Sequence, residues 1–422
     1  MAAVGKVAPA VWFEHLFGFK EHLALRQQLP NGQIVRNPAH LREKLELRGD
    51  RLVSLVNGAS YGVGTFSAPS LSELRRRVAA ANLPPGQLQL SHIATRDVFS
   101  LHSQPEYRGA TFMAASQFNC LEFSNPEVVP EDGVQNYVYD ATQGPACALA
   151  APAAAVVRHY HIPVGGEVGQ SAERQLNLVS GLLQAVQGTD GEQWRRRGGA
   201  VEAEAVDLVC VRNGYSTSDE SRLLELNRRW RAACEQAPLT ARDEAMGQMC
   251  IGVHAGVEVP WGPPRFMLLP LEQRQSVTQA YCSALAVGYS EGSEEAWAPL
   301  AQLVLEASYE AVLLCAALDQ AEAHGSGLAV LTFLGGGVFG NRPEWIEAAI
   351  ARAVVRRHHP RLPSYTHYTY TCSTCSTCST TLALLTRCAC TTWAYAWSCA
   401  TSERSTRGPW RASRAPSPQS AT

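Results

Sequence analysis

The chain has 422 residues, 46% of them hydrophobic, and a formal net charge of −2, which is enough length and apolar content for one large domain or two ordinary ones and rules out a natively disordered protein. Beyond Pro360 six arginines face a single acid, Glu403, so the body before it is acidic and a broad binder of nucleic-acid backbone is not expected. No run of about 18 to 20 uninterrupted apolar residues occurs, and "MAAVGKVAPAVWFEHLFGF" lacks a clean cleavage site, so the expectation is a soluble cytoplasmic protein with no membrane segment.

In chain order, residues near 10–30 read as helical, and "DRLVSLVNGASYGVGTF" reads as a hairpin turned at Asn57-Gly58. "SLSELRRRVAAANLPPG" follows as a helix that Ser70 or Ser72 can cap and Pro84-Pro85-Gly86 ends, with Arg75 to Arg77 on its solvated face. Residues 1–85 are taken as an N-terminal extension packed on a core. That core begins with "LQLSHIATRDVFSLHS", a strand with Asp97 near its end, and "GATFMAASQFNCLEF", a buried strand running into a polar turn. A loop with Glu131, Asp132 and Gly133 leads to a short helix and then an alanine-rich segment expected to end in a strand, where the "HYH" of His159 and His161 would point to opposite faces.

Residues 165–248 are polar and read as a largely helical insertion interrupted by the strand-like "AVDLVCVRNGY", with an arginine cluster at Arg195 to Arg197. "QMCIGVHAGVEV" and "SVTQAYCSALAVGY" read as strands, and residues 294–325 as the clearest long helix. "LAVLTFL" is β-rich and fully apolar, as a central strand is, and "PEWIEAAIARAVVRR" is a helix with Pro343 in its first turn. Strands alternating with helices predict a three-layer α/β sandwich, a mixed and mostly parallel sheet flanked by helices, drawn from residues 86–164 and 249–360. Residues 361–422, with the "TCSTCSTCST" triplets, read as a low-complexity disordered tail. Cys372, Cys375 and Cys378 have spacing that a zinc site could use, but a triplet repeat or out-of-frame end is favoured, and no metal site is assigned. The seven cysteines of the body are widely spaced in apolar surroundings, as expected of reduced core thiols.

Chemistry is concentrated in "LTFLGGGVFGNRPEW". A strand that delivers its end into Gly335, Gly336, Gly337, Val338, Phe339 and Gly340, with Asn341 and a helix behind, is a geometry in which backbone N–H groups approach an oxyanion without any lysine. It is neither a Walker loop nor a G-x-G-x-x-G fingerprint; a tight turn in which glycine only makes room is the structural alternative.

Three stretches in order resemble the macrodomain, the ADP-ribose-binding fold that also houses poly-ADP-ribose glycohydrolases. These are "IATRDVFSLHS" with "GATFMAASQFNCLEF", then "PEDGVQNYVYDATQGPACALA" with its Gly133-Val134 step, then "LTFLGGGVFGN". The resemblance covers roughly residues 88–160 and 248–358. It implies that Asp97 meets the adenine amino group, that Asn119 binds the distal ribose, and that Gly335 to Gly337, Val338, Phe339 and Gly340 wrap the diphosphate with Phe339 against a ribose. Asn341 is added from position. The sequence departs from the family in having Arg96 before Asp97 and two extra residues within "AASQFN". Partners implied are ADP-ribose or an ADP-ribosylated protein, with no cofactor; the oligomeric state is open.

Hydrolysis of an ADP-ribosyl bond needs a positioned acid or base. "GGEVGQSAERQ" offers Gly165, Gly166, Gln170 and Glu173 but no adjacent glutamates, and the other candidates are Glu122, Glu131 and Asp132. Each taken singly is more simply a surface acid or helix cap. Two alternatives stand beside this reading. One is a non-catalytic scaffold contacting a partner through Arg195 to Arg197 or Trp230; the other is a different nucleotide-sugar or NAD-related hydrolase. Gly336→Glu is expected to abolish binding without unfolding the chain.

Overall fold

The computed structural model describes residues 4–83, 89–93, 95, 97–187, 207–322, 325–357 and 367–371. Apolar, β-rich runs bounded by turns line up into one seven-stranded sheet. Its strands are β1 (Thr65–Ser67), β2 (Gln89–His92), β3 (Thr111–Ala115), β4 (Gly252–Val259), β5 (Gln275–Cys282), β6 (Ala329–Thr332) and β7 (His367–Thr371). The order across the sheet is β1-β4-β5-β3-β6-β7-β2. The pairings β5–β3, β3–β6, β6–β7 and β7–β2 are parallel, and β1–β4 and β4–β5 are antiparallel. The sheet is therefore mixed and mostly parallel, as the alternation of strands and helices predicts.

Helices cover both faces, which the two-residue period of β5 makes visible. Gln279 and Tyr281 point to one side, where Gln279 donates to the carbonyl of Cys147 in helix Gln143–Ala150 and Tyr281 lies under Arg158 of helix Pro152–Tyr160. Cys282 points to the other, against Cys315 of the long helix Glu294–Ala321. That helix is long and apolar enough to cross a membrane, but 89% of its most apolar window is buried inside the protein. Its apolar all-round composition belongs to a core helix. Helix Leu71–Ala80 is capped by Ser70, whose hydroxyl accepts the Glu73 N–H at 3.2 Å. Arg75 on this helix does not face solvent as expected; its guanidinium grips Glu310 of the long helix at 2.7 and 2.9 Å.

Strand β1 comes from residues 1–85 and β7 from residues 361–422. Three expectations change. Residues near 10–30 are two short helices, Trp12–Phe17 and Glu21–Ala24, followed by the antiparallel pair Arg26–Gln28 and Ile34–Arg36. The alanine-rich segment forms helices Gln143–Ala150 and Pro152–Tyr160 rather than a strand, so His159 lies on a helix and His161 just past its end. The strand-like stretch in the insertion is a hairpin, Cys210–Arg212 with Tyr215–Thr217, turned at Asn213-Gly214. Arg195 to Arg197 and the triplet repeats from residue 372 lie outside the described residues.

Candidate functional site

Three adjacent parallel strands, β5, β3 and β6, end on the same edge of the sheet, at Cys282, Ala115 and Thr332. In open α/β sheets ligands bind beyond such carboxyl ends. The loops that leave them here are residues 283–289, 116–123 and 333–341. They are fastened to one another: Ser116 N–H donates to Cys282 O at 2.8 Å, Gly288 N–H to Phe339 O at 3.0 Å, and the Asn341 side-chain amide to Leu285 O at 2.8 Å. The insertion hairpin closes the group, with the Ala286 N–H donating to Ser216 Oγ at 2.8 Å.

The glycine loop is built by a few backbone bonds. Gly336 N–H donates to Phe333 O, Gly340 N–H to Gly337 O, and Asn341 N–H to Gly335 O. Gly335 has φ +75, and a Cβ there would lie 2.4 Å from Ala284 Cβ and 2.7 Å from Asn341 Nδ2, so only glycine fits. Among the described residues the N–H groups of Gly337, Val338 and Phe339 have no protein acceptor. Residues 336–338 are exposed, and helix Pro343–Arg357 starts directly behind them. Phe339 packs its ring against Tyr215 and Tyr289, centroids 5.4 and 5.9 Å away. Asn341 is 3% exposed and joins two loops through its amide, while its Oδ1 has no partner among the described residues. Arg342 is committed to Glu294 and Glu295.

The turn after β3 is held from inside. Gln117 makes a strand-like pair with the backbone of Phe123, accepting its N–H at 2.8 Å and donating to its carbonyl at 3.0 Å. The Tyr215 hydroxyl adds a 2.6 Å bond to the same carbonyl. Asn119 is fully buried; its Oδ1 accepts the Leu121 N–H at 3.0 Å and its Nδ2 donates to Gln175 at 2.8 Å. Both ends of its side chain thus serve the turn. Cys120 sits at φ +61 with its thiol buried, and burial pushes that thiol up to about 12, far from a nucleophile's range. Glu122 is 4% exposed, and its Oε1 has no partner among the described residues. Burial pushes its carboxyl well above the ordinary range, against the opposing pull of the Ser116 hydroxyl and the Arg158 charge.

The remaining predicted residues are placed as follows. Asp97 caps helix Val98–Leu101, accepting from the Ser100 N–H at 3.1 Å and the Ser100 hydroxyl at 2.5 Å, with Arg265 3.5 Å away. Glu131 accepts the Ala172 N–H at 3.1 Å. Asp132 accepts the Val129 N–H at 2.9 Å and pairs with Arg36. Glu173 is on the surface, accepting from Ser171 at 3.3 Å. Gln170 is a buried brace between the carbonyls of Asn119 and Arg158. Gly133 has φ +88, but the N–H groups that follow it are taken: Val134 and Gln135 donate to the two oxygens of Glu21 at 2.9 and 2.7 Å.

Sequence reasoning missed the polar residues behind the turn. Glu21 is 3% exposed, also accepts the Tyr160 hydroxyl at 2.8 Å, and burial pushes its carboxyl up to about 7. Tyr137 Oη accepts the Glu122 N–H at 3.0 Å and lies 3.5 Å from His159 Nδ1. Burial lowers His159 to about 4, so its ring is neutral. Arg158, 1% exposed, stacks 3.7 Å over Tyr281 and donates to His254 Nδ1 at 3.2 Å and the Cys120 carbonyl at 3.3 Å. Nothing in spacing or periodicity marks these side chains as partners: Glu21 sits between Lys20 and His22, and Arg158 and His159 sit in the run "RHYH".

Solved structures of one kind are similar to this chain. The poly(ADP-ribose) glycohydrolase from Thermomonospora curvata is 13% identical over 87% of this chain and 93% of its own, with a TM-score of 0.38. A second structure of that enzyme, bound to the inhibitor ADP-HPD, gives 12%, 86% and 92%, with a TM-score of 0.34. The poly(ADP-ribose) glycohydrolase from Deinococcus radiodurans in complex with ADP-ribose is 10% identical over 72% of this chain and 86% of its own, with a TM-score of 0.37. At this identity and overlap no residue role passes from those chains to this one. No family model and no curated protein matches the sequence.

Proposed function

We propose that the chain binds ADP-ribose or a related nucleotide diphosphate at the carboxyl ends of β5, β3 and β6, with the diphosphate wrapped by Gly335 to Gly340. The observation that carries this is the run of three N–H groups at Gly337, Val338 and Phe339 without an acceptor among the described residues, in a loop whose residues 336–338 are exposed and which helix Pro343–Arg357 follows. Phosphate oxygens are the natural partners of such a run, because it needs several acceptors held close together and no side-chain cation. Phe339, with Tyr289 beside it, offers ring surface for a ribose.

Asp97 and Asn119 are left out of the contact set, since both carboxylate oxygens of Asp97 and both amide ends of Asn119 are occupied within the fold. For hydrolysis of an ADP-ribosyl bond, Glu122 is the acid to test. A carboxyl that burial makes hold its proton more tightly is suited to donate it to a leaving oxygen, whereas Glu131, Asp132 and Glu173 accept local hydrogen bonds. The scaffold alternative loses one of its two anchors, because Trp230 is 8% exposed and packs in the core.

The test is a calorimetric titration of ADP-ribose into the full chain and into Val338→Glu, with AMP and ribose 5-phosphate as controls. Val338 is 66% exposed, so a glutamate there puts a negative charge beside the three N–H groups without a clash. Gly336→Glu is the poorer choice, since its Cβ would lie 2.3 Å from the Phe333 ring. Selective binding of ADP-ribose that falls at least a hundredfold in Val338→Glu is expected. Equal affinity in both proteins would remove the loop from the site, and no heat from a folded sample would leave the glycines as architecture.

A further inference from the structure

The structure assigns Glu21, on the N-terminal segment, as a positioning residue for Glu122: it fixes the loop that carries Tyr137, and Tyr137 fixes the Glu122 backbone. This deepens the proposed function in one respect, for it rests on Glu122 being part of the site.

The geometry forms two connected halves. In the first, Glu21 receives three donors, the N–H groups of Val134 and Gln135 and the Tyr160 hydroxyl, at 2.7 to 2.9 Å. The same N-terminal segment grips the loop at further points: the Trp12 indole donates to Gln135 O at 3.3 Å, the Gln135 side chain donates to Ala10 O at 3.0 Å, and Arg36 pairs with Asp132. In the second half, hydrogen bonds run in one direction from Glu122. Its N–H donates to Tyr137 Oη, Tyr137 lies within reach to donate to His159 Nδ1, and His159 Nε2–H donates to Pro130 O. This direction requires a neutral ring, which burial favours, with the proton on Nε2, which the Pro130 carbonyl fixes. Tyr160, which touches Glu21, and His159, which touches Tyr137, are neighbours on one helix, so both halves share a rigid backing. The bonds from Glu122 through Tyr137 and His159 to Pro130 are buried, and moving the loop would leave the Glu122 N–H without its acceptor.

The experiment measures amide hydrogen exchange in the ligand-free full chain, so failure of ADP-ribose binding leaves its outcome untouched. Rates are read at Glu122, Val134 and Gln135 relative to the core strand Gln275–Cys282, which corrects for any general loss of stability. Tyr137→Phe is expected to speed exchange at Glu122 at least tenfold while Val134 and Gln135 stay protected. Glu21→Ala is expected to speed all three at least tenfold. Added acetate, which has the shape of the deleted CH2–COO− group, is expected to restore protection at Glu122 as well as at Val134 and Gln135, with chloride ineffective. Protection at Glu122 that survives Glu21→Ala while Val134 and Gln135 exchange freely would overturn the assignment, as would protection at Glu122 that survives Tyr137→Phe. Should Glu21→Ala fail to fold, Glu21→Gln and Tyr137→Phe give the same comparison.

Discussion

Two loops of this chain contain a glycine at positive φ, Gly133 and Gly335, and the backbone N–H groups that follow have opposite fates. After Gly133 the N–H groups of Val134 and Gln135 are closed by the carboxylate of Glu21. After Gly335, at φ +75, the N–H groups of Gly337, Val338 and Phe339 have no acceptor among the described residues, and residues 336–338 are exposed. A turn with free N–H groups can bind an anion; in the first loop the Glu21 side chain already occupies them, and in the second a ligand is what the proposed function supplies. The comparison teaches that glycine spacing marks a place where N–H groups can converge, whereas the presence or absence of a side-chain acid decides whether the place is structural.

The strongest way to break the comparison is to empty the closed loop. Glu21→Ala leaves two buried N–H groups and a buried tyrosine hydroxyl without an acceptor, and is expected to destabilise the chain by about 4 kcal/mol in urea unfolding. A loss under about 1 kcal/mol would mean that water replaces the carboxylate, and the two loops would then be equivalent.

The glycines themselves come next. Gly133→Ala sets a Cβ 2.7 Å from Glu21 Oε2 at φ +88, and Gly335→Ala sets one 2.4 Å from Ala284 Cβ at φ +75. Each is expected to cost about 2–3 kcal/mol by the same assay. If Gly335→Ala cost nothing, the open loop would be loose, and its N–H groups would not be preorganised for a ligand.

A third prediction uses pH. The Glu21 carboxyl is raised from 4.5 to about 7 in the folded chain, with burial the dominant cause. The folded state therefore holds the proton more tightly than the unfolded one, so the contribution of Glu21 to stability falls as pH rises from about 4.5 and levels off above about 7. The difference in unfolding free energy between wild type and Glu21→Gln should shift by about 3 kcal/mol across that window. A flat difference would show that the three donors hold Glu21 ionised throughout.

How much of this was legible in the sequence depends on what kind of signal each feature leaves. Strand β6 and helix Pro343–Arg357 were readable because a fully apolar β-branched run and a first-turn proline act locally. The loop between them was readable as a turn, but the openness of its N–H groups is a fact about what does not pack against it. The alanine-rich segment misled because small side chains carry little periodicity, and its two helices are fully buried against the sheet. In β7 the alternating "HYTYT" has strand character, but the triplets that follow drowned it. Glu21 was invisible: an acid in "FGFKEHLAL" looks like any exposed helix residue until the loop 113 positions later closes over it.

The smallest expected effect separates backbone from ring within the open loop. Phe339→Ala removes the ring that packs on Tyr215 and Tyr289 but leaves the peptide N–H in place. If a ribose lies on that ring, ADP-ribose affinity should fall roughly tenfold, about 1.4 kcal/mol, while affinity for pyrophosphate alone stays level. An equal loss for both ligands would mean that the ring acts by holding the loop's shape, and the open loop would then depend on packed support much as the closed one depends on Glu21. No loss for either would leave the three N–H groups as the whole of the loop's contribution.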